Sequence, residues 1–335
     1  MTKRLVSVCS ALVFLSVAGC STVTVRVPVI HPAEINLHGK SELVIGTVTG
    51  PTASQVSALL KDRIVSSGHF KLIDHSHLNS VLAELQLSAS DLANPDSRRR
   101  LGKLMTGSIL LAGNVERSDY HENMTRYQAT CVTKSVNGKG AKYACTSFQR
   151  TGKVSVAVNF DLIDIATSED LKSKRVVCER TSTTNATDAT PAAIDSRALL
   201  DSCMSQVVDT FMRAIAPWMG YAQVRFIKDS DLPPLEMGIN YAKRGLWDDA
   251  IKEFKAAIEE ADSQPDLDVD TAAKAYWDLG LAYEYTDVFD KAKENVKKAY
   301  EMTQDDSYLN EVSHIARRER EQERLKEQTT GGETT

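Results

Sequence analysis

The chain has 335 residues, with 40 Lys and Arg against 45 Asp and Glu, a formal net charge of −5. That acidic balance leaves no basic excess to hold a nucleic-acid backbone, so no nucleic-acid partner is expected. The length exceeds one ordinary domain and suggests two.

The start of the chain reads as an export signal. Lys3 and Arg4 precede an apolar run from Leu5 to Val17, about the length of a signal-peptide core and short for a membrane span. Val17-Ala18-Gly19-Cys20 then matches the bacterial lipobox. In that motif the cysteine thiol takes a diacylglycerol and the preceding peptide is removed. Cys20 is therefore the expected lipidation site, residues 1–19 the signal peptide, and several acyl chains the stable anchor. Ser21 in place of Asp follows the outer-membrane sorting pattern. The competing reading is an ordinary secretory signal with a chance cysteine, and both readings imply export. Loss of Lys3 and Arg4 takes the net charge to about −7. No other segment is long and apolar enough to span a bilayer as a helix.

Residues 20–41 read as a lipidated tether, with Pro28, Pro32 and alternating valines that alternatively suit an edge strand. Residues 42–228 read as an α/β domain. Glu42 to Val48 is a β-branched run ending at Gly50-Pro51. Val56, Leu59, Leu60 and Ile64 share a helical face that Gly68 closes. Phe70 to Asp74 reads as a short strand, and Leu78, Val81, Leu82 and Leu85 as a helix. Asn94-Pro95-Asp96 starts another helix, and Ser108 to Val115 is a strand. Long polar strands surround the Asn137 turn. Val154 to Ile165 alternates cleanly, residues 181–191 read as a loop, and a helix from about Ala192 to Trp218 precedes a last strand at Val224 to Ile227.

With Cys9 in the signal and Cys20 lipidated, Cys131, Cys145, Cys178 and Cys203 remain, an even number for an oxidising compartment. Three pairings are open. Cys131 and Cys145 flank Asn137-Gly138-Lys139-Gly140, a hairpin-turn pattern, so a bridge there is expected first, leaving Cys178 with Cys203. A zinc site is the competing reading, and spacings of 13, 32 and 24 intervening residues suit it poorly.

The strand and helix order, with "HFKLIDHSHLNSVLAELQL", a Pro-led helix and "LGKLMTGSILLAGNV", is similar to the family of the curli-secretion lipoprotein CsgG. That family includes a lipoprotein activator of penicillin-binding proteins, and its fold resembles the amino-terminal domain of TolB. Phe70, Leu72, Ile73, Asp74, Leu78, Leu82, Leu101, Gly102, Gly113 and Val115 stand where the family pattern has core and turn residues. The resemblance covers roughly residues 42–220 and speaks to fold more than activity.

Residues 229–328 read as an all-α helical-repeat domain. Gly238, Tyr241, Ala250, Phe254 and Ala257 recur as Gly280, Tyr283, Ala292, Val296 and Ala299, with Gly to Tyr three residues and Gly to Ala twelve in both units. This is the tetratricopeptide signature, at a spacing of 42 against about 34 for the standard unit. Two repeats bury little, so Tyr308 to about Lys326 is expected to cap them, and 329–335 to be disordered. Asn240, Lys243, Arg244, Trp247 and Asp278 are the candidate partner contacts, although Trp247 equally suits packing beneath the following helix.

No motif advertises catalysis, and the expectation is a non-enzyme without cofactor or metal. His75 and His77, with His69 and Asp74, are a weak metal candidate; the resemblance places them at a structural turn. Arg98-Arg99-Arg100 reads as a solvated face, or more sharply as a contact for an acidic partner or lipid head groups. Asp161, Asp164, Glu169 and Asp170 read as a solvated turn. The curli channel inserts long β-hairpins into the outer membrane, which need alternating apolar residues. Thr125 to Phe148 instead carries Arg126, Gln128, Lys134, Lys139 and Lys142. The sequence therefore implies an outer-membrane lipoprotein facing the periplasm, a scaffold or activator for envelope proteins such as a peptidoglycan synthase or secretion machinery. Its rival is an oligomeric export channel, and the resemblance allows a homo-oligomeric ring in either case.

Overall fold

A computed structural model describes residues 21–73, 82–83, 85–88, 90–91, 94–102, 108–133 and 140–330. The chain divides into two compact units. Among the described residues, one comprises those within 31–218 together with 324–330; the other comprises 21–30 with 219–323. Among the described residues no helix is long and apolar enough to cross a membrane.

The first unit is built on a five-stranded sheet. Its strands are β2 (Glu42–Thr49), β3 (Lys71–Ile73), β4 (Ser108–Val132), β5 (Lys142–Asp164) and β6 (Asp170–Thr187), in the order β3-β2-β4-β5-β6. β2 runs parallel to β3 and β4, and β4, β5 and β6 are antiparallel neighbours. Period-two alternation sends side chains to opposite faces. Leu43, Ile45, Ile109, Leu111, Val154, Val156, Val158, Phe160 and Leu162 meet α1 (Ala53–Ser67) and α3 (Ser196–Ile215). Phe160 stacks on Phe211 of α3 with ring centroids 4.0 Å apart. Asp195 caps α3 by accepting the Ala198 N–H at 3.0 Å. On the opposite face Val44, Leu110 and Ile165 pack with Leu82 and with Leu101 of α2 (Pro95–Gly102).

The second unit pairs β1 (Ser21–His31) with β7 (Trp218–Lys228) in a two-stranded sheet. Val25 and Val27 join Val224 and Phe226 in one core with the helices. α4 (Pro233–Ala242) and α5 (Trp247–Asp262) form one hairpin, and α6 (Val269–Glu284) and α7 (Phe289–Thr303) a second. α8 (Asp306–Thr330) follows, beginning two residues before the predicted cap and running past its end. A Cβ on Gly238 would meet the Phe254 ring at 2.4 Å, and one on Gly280 would meet Val296 at 2.6 Å. At both matched glycines the facing helix of the hairpin leaves no room for a side chain.

Several expectations are corrected. The tether is packed chain: residues 21–31 form a strand, and Val25, Val27, Val29, Ala33, Ile35 and Leu37 are buried. Apolar alternation in a short stretch serves a sheet as well as a linker. The last strand spans 218–228 and pairs with β1, so the boundary expected near 228 falls at 218/219. The loop expected at 181–191 is the end of β6 as far as Thr187, where Thr-rich sequence suits a strand exposed to water. β4 and β5 continue as one antiparallel ladder out to Val132 and Lys142. The signal peptide with Cys20, the Asn137 turn and residues 331–335 lie outside the described residues.

Candidate functional site

The two long sheet segments differ along their length. Beyond Val115, β4 turns outward with Arg117, Glu122, Arg126 and Gln128 exposed or half-buried, and β5 and β6 follow it. Cross-strand ion pairs line the exposed face of these strands: Arg175 with Glu116 at 2.8 Å, Lys153 with Glu179 at 3.0 Å and Arg117 with Glu179 at 3.8 Å lie on the face opposite the core, and Arg150 with Glu122 lies further out in the arm. Such pairs at an exposed surface contribute little each, but they make that face polar. Cys131 and Cys145 are bonded near its tip, with Cα atoms 5.9 Å apart. Cys178 and Cys203 are bonded within the core, tying β6 to α3. Both bridges follow the pairing expected first, and they leave none of these four thiols for zinc.

The helical unit carries a groove of about 550 Å³. Its walls are residues 222–225 of β7, Trp277, Leu281 and Tyr285 of α6 and its end, and Ser307, Asn310, Glu311 and His314 of α8. Three polar contacts fasten the β7 region to α6. Trp277 Nε1 donates to the Arg225 carbonyl at 3.1 Å, Ile227 N–H donates to Asp278 at 2.9 Å, and Lys274 meets Asp229 at 2.7 Å. Residues 274, 277 and 278 recur at helical spacing, so one face of α6 makes all three.

That arrangement corrects the reading of Asp278 as a partner contact. It is fully buried, and its carboxyl serves the Ile227 N–H. Burial pushes its pKa well above the usual carboxylate range, with the Ile227 N–H opposing. Trp247 is half-buried, packs against the helical core and stacks over Tyr285 at 6.4 Å, so packing accounts for it. Asn240, Lys243 and Arg244 are exposed at the end of α4, where Arg244 bonds the Asn240 carbonyl at 2.7 Å. The sequence does not show the groove, because Val224 to Ile227 reads as the last strand of the first domain; Trp277, three residues before Gly280 on α6, is the available signal.

The other candidates resolve individually. Arg98 is buried, Arg99 pairs with Asp96, and Arg100 bonds the Leu85 carbonyl at 2.7 Å, so the three do not form one basic patch. Asp164 is buried and meets Lys40 at 3.1 Å while accepting the Ala166 N–H at 2.9 Å. Burial opposes its ionisation, but Lys40 and the backbone N–H outweigh it and hold its pKa below the ordinary range. His75, His77 and Asp74 lie outside the described residues. His69 borders a cavity of about 270 Å³ with Asn36, Lys40 and Pro217, and burial lowers its pKa.

Residues 36–194 match the family model described as curli production assembly/transport component CsgG. This part of the chain is a CsgG-type domain. No curated protein matches the chain. Among solved structures, the LpoB C-terminal domain from Salmonella enterica is 15% identical, with 42% of this chain and 83% of that one covered at a TM-score of 0.26. Lipoprotein GNA1162 from Neisseria meningitidis is 10% identical, with 51% and 97% covered at 0.27. A PelC dodecamer from Paraburkholderia phytofirmans is 13% identical, with 57% and 98% covered at 0.27. The domain assignment rests on the family model.

Proposed function

We propose that the protein is a non-enzymatic outer-membrane lipoprotein, anchored through Cys20, that scaffolds or activates an envelope assembly from the periplasmic side. The observation that carries this reading is a CsgG-type domain whose long strands carry ion pairs on their exposed face, and whose arm interrupts its few exposed apolar side chains with Glu122, Arg126, Gln128 and Arg150. A band of outward apolar residues is what lipid contact requires of a membrane strand. The two disulfides agree with an oxidising compartment. In this reading the two helical hairpins are tetratricopeptide repeats with α8 as their cap, and the groove beside them, with Asn240, Lys243 and Arg244 near the first hairpin's turn, recruits a partner protein. Peptidoglycan synthases and secretion machinery are the partner classes that fit.

The test keeps the native signal, replaces Cys20 by Ser, and cross-links both versions in cells before purification. The wild type is expected in the outer membrane with an envelope-assembly protein attached, and the C20S form in the soluble periplasm. A wild-type homo-oligomer that conducts ions in liposomes, with no partner attached, would replace the scaffold with the export channel.

A further inference from the structure

Glu284 ends α6, and Glu311 and His314 stand one turn apart on α8. The three-residue spacing puts the last two on one helix face. Ligand atoms of all three lie within 4.8 Å of one another. His314 Nδ1 is 2.8 Å from Glu284 Oε1 and 3.1 Å from Glu311 Oε1. Close as they are, Nδ1 and both Glu284 oxygens lack an aligned hydrogen-bond partner. Glu284 is fully buried, where an ionised carboxylate is costly unless a cation meets it. Arg318 Nε approaches Oε1 at 3.5 Å, also without alignment, and turns its Nη2 toward Asp287 at 3.6 Å.

We propose that Glu284, Glu311 and His314 bind one divalent transition-metal ion of the zinc type at the edge of the groove. One imidazole with two carboxylates suits zinc, cobalt, iron or manganese; the imidazole disfavours calcium and magnesium. Bonds of about 2.0–2.2 Å place tetrahedral ligands about 3.3 Å apart, so the two contacts of His314 Nδ1 with the carboxylates need to open by only a few tenths of an ångström. Glu311 and His314 border the groove, so the fourth position opens toward it, for water or for a carboxylate on a bound partner. The competing occupant is a proton: His314 charged between two carboxylates, which raise its pKa to about 9, Glu284 first.

The purified full chain, disulfides intact and stripped with chelator, is titrated with zinc by calorimetry and with cobalt(II) by its visible absorption. One saturable equivalent is expected. E311Q and H314A, each at a half-buried position, are expected to keep the helical circular dichroism and to weaken binding at least about tenfold. No saturable binding by the wild type overturns the site and leaves an ion-paired cluster. Binding undiminished in both variants overturns it too, by placing the ion elsewhere.

Discussion

The same three strands are held in two different ways along their length. At the root, β4, β5 and β6 alternate apolar side chains into a core covered by α1 and α3, and Phe160 stacks on Phe211. In the arm no helix among the described residues covers them, large apolar side chains such as Met124, Tyr127 and Tyr143 are exposed, and Arg150 pairs with Glu122 across strands. Each half has its own disulfide, one binding strand to helix and one binding hairpin strands together. The contrast teaches that a continuous backbone ladder says little about energetics: burial stabilises the root, whereas the arm relies on its ladder and its covalent staple.

The sharpest way to break this comparison is truncation. Phe211→Ala is expected to cost about 3–5 kcal/mol of global stability, and Tyr127→Ala no more than about 0.5 kcal/mol, by urea denaturation. Similar losses would mean that the arm is packed, in solution, against something that the isolated chain does not reveal.

Next come the staples. Replacing Cys178 and Cys203 by Ala should lower global stability by about 3 kcal/mol, since the bridge closes a 25-residue separation within the core. Replacing Cys131 and Cys145 should leave the global midpoint nearly unmoved and instead speed amide exchange in the outer parts of β4 and β5. If the arm bridge shifts the midpoint as much as the core bridge, the two halves unfold as one unit.

The smallest effect is a pH dependence at the root. The Asp164 pKa is depressed, so its contribution is present above the ordinary carboxylate range and is lost as pH falls through that range and below. Asp164→Asn should therefore cost about 1 kcal/mol at neutral pH and flatten the acid limb of the stability curve. Glu122 in the arm and Glu179 on the exposed face of β6 are also held low, Glu122 chiefly by Tyr120 and Glu179 by Lys153. Their exposure predicts a salt-sensitive local effect and no change in that limb. An unchanged acid limb in the Asp164 variant would show that Lys40 does not pair with it in solution.

Much of the root was legible as sequence. The alternation of Val154 to Leu162 and the face made by Val56, Leu60 and Ile64 state burial directly, because strand and helix periods convert residue spacing into geometry. The matched Gly238 and Gly280 likewise announced close helix contacts, and the two bridges followed from a turn motif between Cys131 and Cys145. The arm's β6 was not legible, since a strand wet on both faces has no apolar period, and Thr181 to Thr187 passed for loop. The groove and its residues were less legible still. Asp278 and Trp277 lie next to each other on α6, and only the return of β7 to that helix made one a buried acceptor for Ile227 and the other a groove wall.

The chain's local periods, its cysteines and its repeated glycines therefore determined by themselves which segments bury themselves and where helices touch, because those properties depend on neighbours a few residues away. Only the tertiary structure decided that residues 21–31 pair with β7, that Asp278 is consumed inside the fold, and that Glu284 meets Glu311 and His314. Those outcomes depend on contacts between segments far apart in the chain, and no local period encodes them.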